Sequence, residues 1–240
     1  MYITAVYPND PSREVDSRKQ YEQLWTLAKT LTRFDMAIED WHPSGPTPES
    51  ILLNRAFDHD GPTVAAVAMA DQINPPDQEI RSASISIGEE GRGGCLFHSS
   101  LSWDGLFPST FDADIQATAL LDSSDKAIAL IDSILSIWHP FALTLQPFQY
   151  RNKQVFKDRR GMGWMLFLPV AIEPNQVPEA AHVLPRTTDD GRAGTLIVSV
   201  DEVFDIANPD HVRIANDIEI RLVDQDLYPT NMQIAAMARR

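Results

Sequence analysis

Asp58, His59 and Asp60 bring metal-ligating side-chain types together in one run. Adjacent residues seldom converge on a single ion, and Gly61-Pro62 follows at once, so the tripeptide reads as a solvated turn. His98 and Ser99, with Asp104 shortly after, hold the residue types of a base, a nucleophile and an orienting acid. The sharp G-x-S-x-G turn that would present such a serine occurs nowhere in the chain, so these residues read as a strand and its exit. Gly91, Gly93 and Gly94 share only their glycines with a phosphate-cradling loop. Cys95 and Leu96 stand where Lys and then Ser or Thr are needed, which leaves a hairpin turn. Cys95, next to Leu96 and Phe97, reads as a buried, inert thiol. His139 sits between Trp138 and Pro140, where a cationic ring suits the end of a helix dipole. His211 reads as structural, and Asp224 and Asp226 lack the spacing of a calcium loop. The sequence thus yields no catalytic, cofactor-binding or metal residue.

The elements that hold these residues follow from periodicity. Tyr2 to Tyr7 is a short β-rich start. Ser17 and Gln20 have capping-box spacing, and Tyr21, Leu24, Trp25, Ala28 and Leu31 recur at helical intervals as a core stripe. Thr47-Pro48 reads as a cap followed by proline at the first helical position of a short helix. Thr63 to Ala70 is apolar enough for a helix or a buried strand, with helix preferred. Ser82 to Ile87 alternates strictly and predicts a half-buried strand, with Cys95 to Leu101 as its returning partner. Phe111 to Leu120 reads as another strand, and Ser124 to Trp138 as the clearest helix, ended by Pro140. Strands follow near Phe141 to Gln146, Trp164 to Leu168 and Thr195 to Val200. A last helix begins at Asn208-Pro209, with Asp217 and Arg221 spaced as a surface ion pair. Strands come in runs, so the fold class is α+β. The expectation is six to seven strands in one or two mostly antiparallel or mixed sheets, with helices outside. Residues 1–240 read as one domain, with an internal division near residue 122 left open.

The chain has 240 residues, 43% of them hydrophobic, which is enough for a substantial core. Its 34 acids against 20 bases give a net charge of −14, which argues against direct nucleic-acid binding and suits a basic partner. Its lone cysteine permits no internal disulfide. Met1 to Asp10 lacks the basic and apolar regions of a signal peptide, and no apolar run reaches membrane-spanning length. The expected location is the cytoplasm.

The carboxy-terminal half is the most distinctive region. Gly163-Trp164-Met165-Leu166-Phe167-Leu168-Pro169 precedes Val177-Pro178-Glu179-Ala180. Gly194-Thr195-Leu196-Ile197-Val198-Ser199-Val200 and Phe204 come next. Asn208-Pro209-Asp210-His211-Val212 then runs on through Ile218-Glu219-Ile220-Arg221-Leu222 to Asp224-Gln225-Asp226-Leu227. In order and spacing this set is similar to the immunity protein 52 family of bacterial polymorphic toxin systems, over Val155 to Pro229. The resemblance implies a protein encoded beside a toxin and neutralising it. The toxin would often carry a restriction-endonuclease-like nuclease domain, delivered by type VI or contact-dependent secretion. It implies no enzymatic activity and no cofactor, and it transfers no contact residue.

An acidic inhibitor could meet a basic nuclease cleft with carboxylates, and hot spots favour aromatics among charges. Three segments have that mixture: Glu39-Asp40-Trp41, Phe57 with Asp58 and Asp60, and Trp103-Asp104. Two other readings remain: an adaptor or chaperone for a secreted effector, and a small hydrolase using His98 with Asp104.

Overall fold

Strand β1 (Tyr2–Tyr7) points Ile3, Ala5 and Tyr7 one way and Tyr2, Thr4 and Val6 the other, and this alternation sets the two faces of the molecule. The computed structural model describes residues 1–75, 78–88, 93–103 and 106–239. After β1 come α1 (Ser17–Leu31), β2 (His42–Pro43), α2 (Pro48–Leu53), β3 (Phe57–Asp58), β4 (Gly61–Pro62) and α3 (Val64–Ile73). Then follow β5 (Ile80–Ile87), β6 (Cys95–Ser102), β7 (Ser109–Ile115), α4 (Ser124–Trp138), β8 (Ala142–Gln146) and β9 (Met165–Leu168). The chain closes with β10 (His182–Thr187), β11 (Ala193–Val198), α5 (Pro209–Asp224) and α6 (Asn231–Ala238).

Among the described residues, nine strands form one antiparallel sheet in the order β10-β11-β9-β8-β1-β7-β6-β5-β2, while β3 and β4 pair separately. That exceeds the six or seven strands expected. It also answers the open question of one sheet or two. Strand β1 bonds β7 on one side and β8 on the other, so the sheet runs unbroken across residue 122. The outer strands β2 and β10 each contain a proline, Pro43 and Pro185. Among the described residues, no helix is long and apolar enough to cross a membrane.

One face is a continuous apolar layer. Its register sets Ala5 opposite Phe111 and Leu143, and Leu143 opposite Phe167. A row of rings crosses it: Trp41 to Phe97 at 5.3 Å, Phe97 to Phe111 at 6.0 Å and Phe111 to Trp138 of α4 at 4.2 Å. Each such pair adds about 1 kcal/mol beyond the area it buries. The opposite face is polar over β5 to β7, with Ser82, Ser84, His98, Ser100 and Asp112 half-buried along it. Near β8 that face is covered by α6, whose Ile234 and Ala238 pack on Val6 and Ala142.

Local chemistry explains most boundaries. Thr47 caps α2 in a reciprocal box with Ser50, and Thr63 caps α3, which resolves the Thr63–Ala70 segment as helix. The cap of α1 is Asp16, which accepts from the Lys19 amide, and Ser17 is already helical. Helix α4 runs as the spacing predicts and ends with His139 in the left-handed region at φ 47°. The His139 ring Nε2 lies 2.7 Å from the Ser136 carbonyl, and the Arg192 guanidinium donates to the His139 carbonyl. The strand expected over Phe111 to Leu120 ends at Ile115, with a 3₁₀ turn over Thr118–Leu120. The surface pair is also different from expectation: Asp217 takes Arg213 at 3.2 Å, and Arg221 turns to Glu179 at 2.6 Å. Helix α5 is not the last, since α6 follows it behind a Thr230–Gln233 capping box.

Candidate functional site: an aromatic groove and a basic cleft

The expected contact residues fall into three environments. Trp41 and Phe57 are fully buried, so they are core residues and offer no surface to a partner. Trp103 is half-buried, with the guanidinium carbons of Arg13 and Arg81 at 4.8 and 5.3 Å from its ring centre. Asp104 lies outside the described residues. Glu39, Asp40, Asp58 and Asp60 are exposed.

Asp58 and Asp60 occupy the β3–β4 hairpin, where Asp58 Oδ1 accepts from the amides of Asp60 at 2.9 Å and Gly61 at 3.1 Å. This is a side-chain-closed turn, as the sequence suggested. His59 Nε2 lies 3.1 Å from Asp60 Oδ1 in full exposure, where an ion pair contributes little. The hairpin stands over Trp25 of α1. Glu39, Asp58, His59 and Arg55 share a groove with Trp25 and Lys29, while Asp60 and Val64 line its continuation. The sequence put Trp25 in the core stripe, but it lies on the shoulder of α1, half-buried, with Lys29 Nζ 3.6 Å from its ring centre. Val64 of α3, on that continuation, is 78% exposed, and elsewhere on the surface Leu52 and Leu53 of α2 are 70% and 83% exposed. The groove mixes acids with Arg18, Lys29 and Arg55, so its own charge is nearly balanced.

The His98–Ser99 arrangement does not assemble. Ser99 is buried on the apolar face, with its hydroxyl 2.9 Å from that of Tyr7. His98 points the other way, and its two ring nitrogens meet Ser84 at 2.6 Å and Ser100 at 2.8 Å. A triad needs an acid on one of those nitrogens. Burial lowers the His98 pKa, against the pull of Asp112, and favours the neutral ring. Residues Gly91 and Arg92 of the expected glycine hairpin turn lie outside the described residues. Cys95 is buried, and burial pushes its thiol up to about 11. Its reaction with a thiol-specific disulfide reagent at neutral pH should therefore be slower in the native protein than in denaturant by a factor of about 100 or more. A stopped-flow comparison measures this.

A second feature escaped the sequence reading. The segment between β8 and β9 carries Arg151, Lys153, Lys157, Arg159 and Arg160 in a chain of net charge −14. Against the polar face of the sheet it encloses a cleft of about 650 Å³, whose lining includes Thr4, Asp112, Thr144 and Gln146 from the strands. The Arg160 pKa is lowered, chiefly by desolvation, although Asp112 opposes this. The Nε atoms of Arg159 and Arg160 and the Oε1 of Gln146 are buried without a hydrogen-bond partner among the described residues. Gln146 is only 9% exposed.

This basic segment is pinned from below. Glu219 of α5 is fully buried and accepts from the amides of Val155 at 2.8 Å and Met162 at 2.9 Å, with the Tyr150 hydroxyl also at 2.9 Å. Desolvation raises the Glu219 pKa despite these donors. From the other side, Tyr228 donates to the Arg160 carbonyl, and the Asn231 amide donates to that of Asp158 at 2.8 Å. Gly163, at φ +50°, lets the chain pass Gln146 so closely that a Cβ there would lie 2.3 Å from the Gln146 Cβ.

No protein-family model matches the chain, and no curated protein matches it. Among solved structures, the fold is similar to that of the Pseudomonas aeruginosa T6SS protein PA0821. The TM-score is 0.52 at 9% identity, over 92% of this chain and 75% of that one. At that identity the likeness is one of fold.

Proposed function

We propose that this chain is an immunity protein of a type VI secretion context, which binds a cognate antibacterial toxin and neutralises it in the cytoplasm of the producing cell. The toxin of this reading is a basic nuclease domain, and inhibition is stoichiometric, without a cofactor or a reaction catalysed by the chain. The observation that carries the reading is the Trp25 groove, where an accessible aromatic, the exposed apolar side chain of Val64 and the carboxylates of Glu39, Asp58 and Asp60 converge on one surface. That is the anatomy of an interface hot spot. The order of carboxy-terminal segments that resembles the immunity protein 52 family supports the family, and the fold likeness to a T6SS protein supports the context.

Mixing the protein with the toxin encoded by the neighbouring gene tests it. A one-to-one complex with loss of nuclease activity is expected. No complex at micromolar concentration would end the idea, and a complex that keeps full nuclease activity would make the chain a carrier instead.

Replacing Glu39, Asp58 and Asp60 by lysine together should slow association about tenfold at low ionic strength, with the difference closing as salt rises. All three side chains are exposed, but Asp58 also closes the β3–β4 turn, so Glu39 and Asp60 replaced without Asp58 serve as the control for the hairpin, and surface-plasmon association rates read the effect. An unchanged rate would place the interface elsewhere.

A further inference from the structure

The described lining of the basic cleft sets four cations, Arg151, Lys157, Arg159 and Arg160, against one acid, Asp112, for a formal charge of +3. Two of the lining arginines, Arg159 and Arg160, have a buried Nε–H with no partner among the described residues, and buried polar groups are seldom left so. Gln146 adds an amide whose oxygen has no partner among the described residues. At the cleft wall, Tyr2 and Phe148 stand with ring centres 5.3 Å apart, 39% and 53% exposed.

We propose that this cleft binds a small phosphomonoester carrying a planar ring, a nucleoside monophosphate being the simplest of the class. Forked guanidiniums match the oxygens of a phosphate, and such charge-assisted hydrogen bonds are the strong ones. A phosphomonoester carries close to two negative charges at neutral pH, which brings the cleft from +3 to about +1, whereas a single carboxylate leaves +2. Lys157 donates to the Arg151 carbonyl at 2.8 Å, which anchors its ammonium at the cleft while leaving two protons for a ligand. Tyr2 and Phe148, tilted at 54° to one another and with the Arg151 guanidinium carbon 5.8 Å over the Phe148 ring, put partly exposed aromatic surface beside the cations for the ligand's ring to pack on. Asp112, the one acid of the described lining, is an acceptor for ligand hydroxyls. The volume lies within the range of small-molecule pockets, on the order of 300–1,000 Å³. The cleft is built from the face of the sheet and the β8–β9 segment, with residues separate from those of the Trp25 groove, so the two readings stand or fall independently.

Isothermal calorimetry on the full chain tests this with adenosine monophosphate, ribose 5-phosphate, adenosine, inorganic phosphate and glutarate as probes. Adenosine monophosphate should bind one to one, at least tenfold tighter than inorganic phosphate or adenosine. Arg160→Gln should weaken it by tenfold or more and exposed Lys157→Gln by a few-fold, while Arg213→Gln on α5 should leave it unchanged. Circular dichroism checks that each variant is folded, and the result with the native chain stands even if Arg160→Gln is not. Absence of binding by both phosphomonoesters, adenosine monophosphate and ribose 5-phosphate, at about 5 mM, or an affinity indifferent to Lys157→Gln and to folded Arg160→Gln, overturns the proposal. Ribose 5-phosphate binding as tightly as adenosine monophosphate removes the ring from it, and glutarate doing so removes the phosphate. Toxin capture with no nucleotide binding, or the reverse, tells this failure from failure of the immunity reading.

Discussion

Glu219→Ala should destabilise the protein by about 3–5 kcal/mol, because it leaves the buried amides of Val155 and Met162 facing a void and the Tyr150 hydroxyl with only Asn216 Oδ1 to accept from it, and each orphaned donor costs about 1–3 kcal/mol with water recovering part of the loss. The shift in urea midpoint at constant slope measures it. A loss below about 1 kcal/mol would mean that these bonds do not anchor the segment. Glu219→Gln keeps the volume but turns a donor amide toward other donors, so it should cost a part of that. The pH dependence separates the two chains further. Burial raises the native pKa of Glu219 above its value of 4.5 in the unfolded chain, so the folded state holds its proton more tightly. Stability from this group is then full below pH 4.5 and declines as pH rises through the raised native value, a slope the Gln variant lacks. The stability gap between native chain and Glu219→Gln should narrow as pH rises through that window. A gap that widens would reverse the sign of the native shift.

Trp41→Ala should cost about 3–5 kcal/mol by opening a cavity beneath the sheet edge where the indole meets Phe97. Trp41→Phe should cost far less, about 1 kcal/mol, since it keeps the ring and removes an indole N–H that has no partner among the described residues. The pair of substitutions separates core from contact. If toxin affinity is measured on folded Trp41→Phe, it should equal that of the native chain, because the side chain presents no surface. A tenfold loss of affinity in a stable Trp41→Phe protein would restore Trp41 to the interface.

Which parts of this molecule could be read in its sequence follows from what each signal depends on. Helices α2, α4 and α5 begin at a side-chain cap and carry a continuous apolar stripe or a proline at the first turn, so local residues determine them. Strand β10 carries Pro185 and is half-exposed at the sheet edge, so neither alternation nor an apolar run marks it. Helix α6 buries only Ile234 and Ala238, too narrow a stripe to show a period, although the Thr230–Gln233 cap was there to be found. Trp25 follows Leu24 in the helical stripe, and one residue of rotation moves it from the core to the rim of a groove. The acids of that groove were legible as exposed loop residues. Their convergence was not, because Glu39 and Asp58 meet only once the β3–β4 hairpin folds over α1. The basic cleft left one trace, a cluster of Arg and Lys in an acidic chain. Its floor comes from β1, β7 and β8, which are far apart in the sequence.

The prolines at the two margins of the nine-stranded sheet bear on how a second polypeptide can engage it. A margin with a missing amide hydrogen and a stiff pyrrolidine ring is a poor template for main-chain pairing. Capture of another protein by annexing one of its strands, the route that also leads to runaway fibres, is thus discouraged at both ends. Any contact made at these margins is left to side chains, which do not propagate a sheet.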